Sequence, residues 1–204
     1  MNYQEVKNKY GKPKPILFNT EMVQAILAGK KTQTRRPVKV ELGLADFQED
    51  NIYVPDKYGD YYEIIEYSKI HKGDILYIRE TFSTDKNGDY VYRTNYGSTE
   101  DDSFPPSMFK WRPSIHMPKE AARLFLKVTD VKVERVQDIK IEDIISEGLE
   151  GYIRTSVDDV YTKDEYELRH EYAELWDDIY KLKGYGWDDN PWVWVIEFER
   201  LKNG

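Results

Sequence analysis

The chain has 204 residues and a mass of 24.3 kDa, which is enough for one sizeable hydrophobic core. It contains no cysteine and three histidines, which excludes a disulfide framework and a cysteine nucleophile and argues against a zinc site. A net charge of −8 argues against a broad electrostatic grip on duplex nucleic acid, and no apolar stretch indicates a signal peptide or membrane span, so we expect a cytoplasmic protein.

The first predicted element is a helix over Thr20–Ala28, which Asn19 or Thr20 caps and Gly29 ends. An extended segment follows and stops at Pro37. Five positive charges fall in this short region: Lys30, Lys31, Arg35, Arg36 and Lys39. The run could attract phosphates to one mouth of an otherwise acidic protein. The alternative is a solvated strand edge that Lys and Arg protect from aggregation.

Two regions, 41–69 and 83–109, are predicted to be elaborations of a central core. The first contains a hairpin pattern around a Tyr-Gly turn, and the second contains one around an Asn-Gly turn. The acidic, Gly/Pro/Ser-rich stretch 94–109 is predicted to be a loop. Between the elaborations, ILYIRETF (75–82) alternates in hydrophobicity and predicts a strand.

The second half of the chain predicts two strands and two helices. A strand over Leu124–Val133, with a bulge near Asp130, precedes a short helix over Ile141–Glu147 in which Ile144 and Ile145 point inward. A longer helix over Lys163–Lys183 begins at a capping box of Thr162 and Glu165. The last strand follows Pro191 and places four large residues on one face: Trp192, Trp194, Ile196 and Phe198. This order predicts an α+β fold, a small mixed and partly open β-barrel with helices outside it.

Lys31 and Thr34 are candidates for nucleophilic catalysis. A hydroxyl becomes a nucleophile when a base takes its proton, and a desolvated lysine with cationic neighbours has its pKa lowered enough to serve. In a regular strand residues three apart face opposite sides, so the pair can act together only if the backbone turns or bulges after Gly29. Spacing alone also fits two unconnected strand residues.

Glu147 is a candidate proton-transfer residue. It stands in the last turn of its predicted helix, just before Gly148, where the negative end of the helix dipole disfavours an acid. Polar residues that break a local preference are enriched at functional sites. The alternative is an exposed acid at a helix end.

Two further motifs admit both functional and structural interpretations. In WRPSIHMP, Arg112, Ser114 and His116 could line a pocket, although a buried loop plug explains the motif almost as well. The aromatic stripe of the last strand could stack nucleic-acid bases. At strand spacing beside a long helix, however, such a stripe is more often part of the core.

Five segments in chain order resemble an ASCH-domain protein, and more specifically the longer form common in bacteriophages and prophages. They are GKKTQTRRP, GDILYIRETF, WRPSIHMPKEAARLFLKVTDVKVERVQDI, EDIISEG and NPWVWVIEFE. The resemblance implies that residues 1–204 form a single ASCH domain, with a family core over about 15–40, 70–82 and 110–200. It also implies a PUA-like small mixed β-barrel flanked by helices, a central cleft and a link to RNA.

One small bacterial branch of the family hydrolyses N4-acetylcytidine with a lysine, a threonine and a glutamate. Its Gly-x-Lys-Thr-x-Thr segment matches Gly29, Lys31, Thr32 and Thr34, and its glutamate matches Glu147. Two departures concern the substrate: Lys140 replaces the threonine that usually caps the short helix, and this chain is about twice as long.

The resulting hypothesis is a protein that binds a nucleoside, a nucleotide or single-stranded RNA, with Lys31, Thr34 and Glu147 as the catalytic triad of an amidohydrolase. The expected substrate-binding residues are Thr32, Arg35, Arg36, Arg79, Arg112 and His116. No metal, cofactor or membrane is implied, and the sequence does not specify an oligomeric state. The alternatives are a non-catalytic RNA-binding module and a phage interaction protein without nucleotide affinity.

Overall fold

The computed structural model describes residues 1–39, 46–48, 51–96, 109–154 and 160–202. The chain divides into two compact units. The first unit comprises Met1–Thr32, Gly73–Val128 and Phe198–Gly204, and the second comprises Gln33–Lys72 and Thr129–Glu197. Most of the acidic loop predicted over 94–109 lies outside the described residues.

The described residues form helices and strands in mixed order, which confirms an α+β fold. The helices are α1 Tyr3–Tyr10, α2 Thr20–Leu27, α3 Ile141–Ser146 and α4 Glu165–Tyr180. The first six strands are β1 Lys14–Leu17, β2 Gln33–Pro37, β3 Asp46–Gln48, β4 Asn51–Pro55, β5 Tyr61–Glu63 and β6 Ile75–Arg79. The others are β7 Phe82–Thr84, β8 Tyr90–Tyr92, β9 Phe125–Arg135, β10 Tyr152–Arg154, β11 Val160–Thr162 and β12 Trp192–Arg200.

The first unit combines a parallel and an antiparallel strand pair with two helices. Strand β1 runs parallel to β6, and β6 pairs antiparallel with the start of β9. A separate hairpin joins β7 to β8. The apolar core of this unit includes Val6 of α1, Phe82 of β7 and Phe125 of β9, together with Met117. Met117 of WRPSIHMP is therefore buried, whereas Arg112 and His116 of the same motif are exposed, so the motif as a whole is not a buried plug.

The second unit is built on the C-terminal part of β9, most of β12 and the antiparallel partner of β12, β2. A meander β3-β4-β5 and a hairpin β10-β11 add two further sheets. One core cluster packs α3 and α4 against Val193 and Val195 of β12. A second cluster packs β4 against Trp192 and Trp194, on the opposite face of β12. Strand β12 is therefore covered on both faces.

Most of the predicted elements are confirmed. The structure contains α2 with its Asn19 cap, the strand ending at Pro37, both hairpins, the strand after residue 124, the short helix before Gly148 and the last strand. Two elements of the first unit, α1 and β1, were not predicted, although Asn2 and Glu5 form a capping box at the start of α1.

Two local predictions are wrong. Ile145 is 44% exposed, because only one side of the short helix α3 packs against the core and Ile144 occupies it. Helix α4 begins at Glu165 rather than at Lys163. Its capping box uses Asp164 and Glu167, whose side chains accept from each other's backbone N–H at 2.9 Å, while Thr162 belongs to β11.

The described strands form several sheets and no closed barrel. Across the described ranges, no helix has both the length and the apolar character needed to cross a membrane.

Candidate functional site

Polar burial is concentrated in the short segment that leads into and forms β2. Lys31, Thr34 and Arg35 are each 2% exposed, and Gln33 is also buried. Glu147, at the end of α3, is buried as well. The interpretation of this basic run as a solvated edge is therefore wrong for Lys31 and Arg35. Thr32, in contrast, is exposed, and its carbonyl oxygen accepts from the Phe198 N–H at 2.9 Å.

The pairing of β2 with β12 decides which way these side chains project. Thr34 is opposite Ile196, and Arg35 is opposite Val195. Because paired residues share a face and successive residues alternate, Thr34 and Arg35 project to opposite faces of β2. The Arg35 face is covered by α3 and α4, which pack against Val195.

The buried Arg35 is the centre of a group of three carboxylates within the second unit, of which Glu147 is buried and the other two are partly buried. Its Nη2 atom is 2.6 Å from Glu134 Oε1 and 3.1 Å from Asp143 Oδ2. Its Nη1 atom is 3.3 Å from Glu147 Oε1. The guanidinium Nε also donates to Glu134 at 2.9 Å. We call these four residues the Arg35 cluster: Arg35, Glu134, Asp143 and Glu147.

Gln33 extends the cluster along the same face of β2. Its Oε1 atom accepts from Arg35 Nη1 at 3.3 Å, and its Nε2 atom donates to Asp143 at 3.0 Å. The same amide donates to Glu197 of β12 at 3.3 Å. The amide therefore holds one acid of the cluster and one acid of the sheet in fixed positions.

The electrostatics of the cluster are visible in two pKa shifts. Burial disfavours the charged guanidinium, but Tyr172 and the neighbouring carboxylates outweigh it and raise the pKa of Arg35. Burial raises the pKa of Tyr172 well above its ordinary value, and the Glu147 carboxylate adds to the shift. Arg35 acts in the opposite direction on this phenol. The carboxylates of the cluster thus favour the charged form of Arg35, while burial above all, with Glu147 adding to it, favours the neutral form of Tyr172.

The predicted catalytic residues belong to both units. Lys31 lies in the first unit, where its Nζ atom is 5.8 Å from the centre of the Phe18 ring. Thr34 and Glu147 lie in the second unit. The ion pair described for Glu147 is with Arg35, and Thr34 projects from the face of β2 opposite to Arg35. Their catalytic roles remain predictions.

The arginines and the histidine that are predicted to bind substrate differ in their surroundings. Arg36 donates to the Tyr180 hydroxyl at 2.9 Å, and Arg79 donates to the carbonyl oxygens of Met117 and Ile115. Arg112 and His116 are exposed in the first unit. Their roles in substrate binding also remain predictions.

Sequence reasoning singled out Glu147 but missed the other two carboxylates that contact Arg35. Glu134 and Asp143 are far from Arg35 along the chain and stand at the ends of strand and helix, where acids are common. The sequence contained one weak sign of this cluster. Gln33 and Arg35 are two apart in a predicted strand, so two large polar side chains project from the same face. Within the described ranges, no three His, Asp or Glu side chains form a metal-binding group.

A cavity of about 420 Å³ lies in the second unit, beside the opposite face of the same strand pair. Arg36, Trp194 and Ile196 contribute to it from β2 and β12, and the segment after β5 contributes another wall. The lining residues are Arg36, Pro37, Lys39, Tyr67, Ser68, Lys69, Ile70, Trp194 and Ile196.

Comparison with known proteins gives one remote structural similarity. No protein-family model and no curated protein matches this chain. Among solved structures, the chain is similar to protein EF3133 from Enterococcus faecalis V583, of the family model DUF984, with a TM-score of 0.45 and 13% identity. The match covers 98% of this chain and 89% of the other. A similarity at this level carries no argument about function.

Proposed function

We propose that this chain is an ASCH-like protein with a PUA-like barrel, which binds a nucleoside, a nucleotide or a single-stranded RNA end and hydrolyses an amide on a modified nucleoside. One observation carries the proposal: Lys31, Thr34 and Glu147, the three residues that the family resemblance selects, are all buried. The resemblance rests on sequence segments alone, so the burial is an independent support.

Burial of polar and charged groups is costly unless they are paired, and among the described residues no buried polar side-chain atom lacks a hydrogen-bond partner. An unpaired polar group that is removed from water costs roughly 1–3 kcal/mol, and an unpaired charge costs more. Among the described residues, eight polar or charged side chains are buried, and four of them fall between Lys31 and Arg35. Glu147, a fifth, pairs with one of those four. Such a concentration is typical of sites in which polar groups act on a ligand.

In the proposed reaction the Thr34 oxygen attacks the amide carbonyl while the neutral Lys31 amine takes the hydroxyl proton. The tetrahedral adduct collapses when the C–N bond breaks, and the departing amine takes up the proton that Lys31 removed from Thr34. The family resemblance assigns this transfer to Glu147, which requires its carboxylate to reach the Thr34 side of β2 from its place beside Arg35. Water then attacks the Thr34 ester, which releases the carboxylic acid and restores the hydroxyl.

Arg35 has a positioning role in this proposal. Its guanidinium is fully enclosed, and its hydrogen bonds are to the acids of the cluster and to Gln33. It holds Glu147 at the end of α3, where the helix dipole alone would disfavour a carboxylate. A guanidinium forms several directed hydrogen bonds at once, so it fixes the orientation of the carboxylate as well as its charge.

The experiment is hydrolysis of a panel of N4-acylated cytidines by the wild type and by Thr34→Ala. Loss of the nucleophile is expected to reduce kcat by at least about 10³-fold. Lys31→Met and Glu147→Gln are each expected to reduce it by about 10²–10⁴-fold. Thr129→Ala, which changes an exposed threonine of β9, is the matched control and is expected to retain the full rate.

Mass spectrometry of a quenched reaction provides a second readout. An acyl group on the peptide that contains Thr34 would support the covalent step directly. Full activity in Thr34→Ala would contradict the proposed nucleophile. Binding of oligonucleotides without any turnover would favour the non-catalytic RNA module, and the lack of any nucleotide affinity would favour the interaction protein.

A further inference from the structure

The cavity beside β2 and β12 has the size and lining of a small-ligand site. Its volume of about 420 Å³ falls within the range of roughly 300–1,000 Å³ that such sites occupy. Pro37, Ile70 and Ile196 give it an apolar surface. Three of its lining residues, Tyr67, Ser68 and Lys69, belong to the first elaboration, outside the segments that resemble the ASCH core.

The charge of this cavity is opposite to that of the whole chain. Arg36, Lys39 and Lys69 line it, and none of its described lining residues is acidic. The chain as a whole carries a net charge of −8. Three cationic side chains in one cavity of an acidic protein favour an anion and concentrate it at one place. Arginine and lysine are the side chains that most often bind phosphate groups.

Aromatic side chains complete the lining. Trp194 of β12 and Tyr67 both contribute to the cavity, and Trp194 is only partly buried by the core cluster behind it. An indole ring offers a flat apolar surface on which a nucleobase stacks. A ligand that suits this lining therefore combines a planar aromatic ring with a phosphate.

A larger cavity in the same unit provides a contrast. It has a volume of about 710 Å³ and lies along α4, with Glu174, Asp177, Asp178 and Asp188 in its lining. Its cations are Lys181, which pairs with Asp177 at 2.7 Å, and His170 when protonated. Such an acidic lining repels a phosphate. The charge of the lining, rather than the volume, therefore makes the smaller cavity the better phosphate site.

The position of the smaller cavity relates it to Thr34. Ile196, which lines the cavity, is paired with Thr34, and Trp194 is paired with Arg36. Residues two apart in a strand share a face and are separated by roughly 6.6 Å. Thr34 therefore projects from the same face of β2 as Arg36, at about the distance that separates a base from its phosphate.

We propose that this cavity binds a nucleoside monophosphate, with the phosphate at Arg36, Lys39 and Lys69 and the base against Trp194. This inference rests on the proposed function in one respect: if the chain is the proposed hydrolase, its substrate is an acylated nucleotide rather than a free nucleoside. The elaboration then has a definite task, since it supplies the wall that carries Lys69. Free mononucleotide is preferred to a long RNA because the cavity holds about one nucleotide.

The test is isothermal titration calorimetry with cytidine 5′-monophosphate, cytidine and inorganic phosphate as separate ligands. The monophosphate is expected to bind at least about tenfold more tightly than cytidine, since three weak ion pairs of roughly 0.5 kcal/mol each contribute. Its affinity should fall as ionic strength rises, because salt screens exposed charges. Equal affinity for cytidine and its monophosphate would overturn the proposal.

Variants connect the binding to the cavity. Lys39→Ala and Lys69→Ala are each expected to weaken monophosphate binding about two- to fivefold. Lys72→Ala is the matched control, because this exposed lysine of the same unit does not line the cavity and is expected to change affinity less than twofold. Trp194→Leu should weaken the binding of cytidine and of its monophosphate by the same factor, because both ligands carry the base. Unchanged affinity in both lysine variants would overturn the assignment even if Trp194→Leu does not fold.

The outcomes separate this inference from the proposed hydrolysis. Thr34→Ala, which is expected to be inactive, should bind the monophosphate as the wild type does. Binding without turnover of any acylated cytidine would leave the cavity assignment standing and remove the hydrolase. Turnover with no preference for the phosphorylated substrate would support the hydrolase and overturn the assignment of the cavity. Binding of a single-stranded RNA but not of the monophosphate would overturn the mononucleotide proposal.

Discussion

Each unit of the molecule buries a charged side chain, but the two units balance that charge differently. In the first unit Glu80, 1% exposed, accepts from Arg123 Nε at 2.9 Å and from its Nη2 atom at 3.0 Å. Thr94 also donates to Glu80 at 2.7 Å. One carboxylate thus meets one guanidinium in a two-point pairing. In the second unit one guanidinium, Arg35, meets three carboxylates.

The difference separates a structural ion pair from a site with an excess of acids. The Glu80–Arg123 pair is neutral, and it ties the end of β6 to the segment before β9 within the first unit. Thr94 adds the segment after β8 to this contact. Two-point pairing satisfies both partners and leaves little capacity for chemistry. The Arg35 cluster carries a formal charge of about −2, and its acids are stabilised by the shared guanidinium, by Gln33 and by Lys132, whose Nζ atom is 3.9 Å from Glu134.

Removal of Arg35 is expected to have the largest effect. Arg35→Met leaves three acids of the second unit without their common cation and should lower the free energy of unfolding by about 3–5 kcal/mol. Urea denaturation followed by circular dichroism measures the change. Arg36→Met, which removes one hydrogen bond to Tyr180, is the neighbouring control and should lower it by about 1 kcal/mol. A loss below 1 kcal/mol for Arg35→Met would show that the acids do not depend on this guanidinium.

Removal of the charge of Glu80 is expected to have a smaller effect. Glu80→Gln should lower the free energy of unfolding by about 1–3 kcal/mol, since Arg123 is partly exposed and keeps its hydrogen bonds to Thr94 and Asn95. The same denaturation experiment applies, with Glu120→Gln as the exposed acid for comparison. If Glu80→Gln destabilised the protein more than Arg35→Met, the contrast between the clusters would be reversed.

Tyr172, beside the Arg35 cluster, and Tyr92, beside the Glu80–Arg123 pair, should differ least in their effect on stability, and only at alkaline pH. Burial raises the pKa of both, well above the ordinary value for Tyr172 and less for Tyr92, whose hydroxyl donates to Ala121 O. A phenol with a raised pKa in the folded chain loses its proton first in the unfolded chain. Folding stability is therefore unaffected well below pH 10 and falls as the pH rises through about 10 and beyond.

The slope of this fall is at most about 1.4 kcal/mol per pH unit for each tyrosine. Tyr172→Phe should remove more of the alkaline fall in unfolding free energy than Tyr92→Phe does, as measured by urea denaturation at several pH values. Tyr166→Phe, which changes an exposed tyrosine of α4, serves as the control. Equal profiles for Tyr172→Phe and Tyr92→Phe would mean that the deeper burial of Tyr172 has no thermodynamic consequence.

Local signals determined most of the elements that the sequence predicted. Asn19 and Gly29 delimit α2, and the Tyr-Gly and Asn-Gly turns mark both hairpins, because caps and turns depend on residues that are close together in the chain. The error at α4 has the same origin. Two capping patterns overlap there. Thr162 is part of strand β11, so Asp164 is the N-cap residue of α4.

The burial of Lys31, Thr34 and Glu147 was not contained in any local pattern. The amino-acid sequence by itself determined the polar segment, its end at Pro37 and the acid before Gly148. Only the tertiary structure decided that Arg35 faces three carboxylates while Thr34 faces the cavity side of the same strand. The reason is physical: strand alternation fixes which residues share a face, but pairing across more than 150 residues with β12 fixes what each face meets.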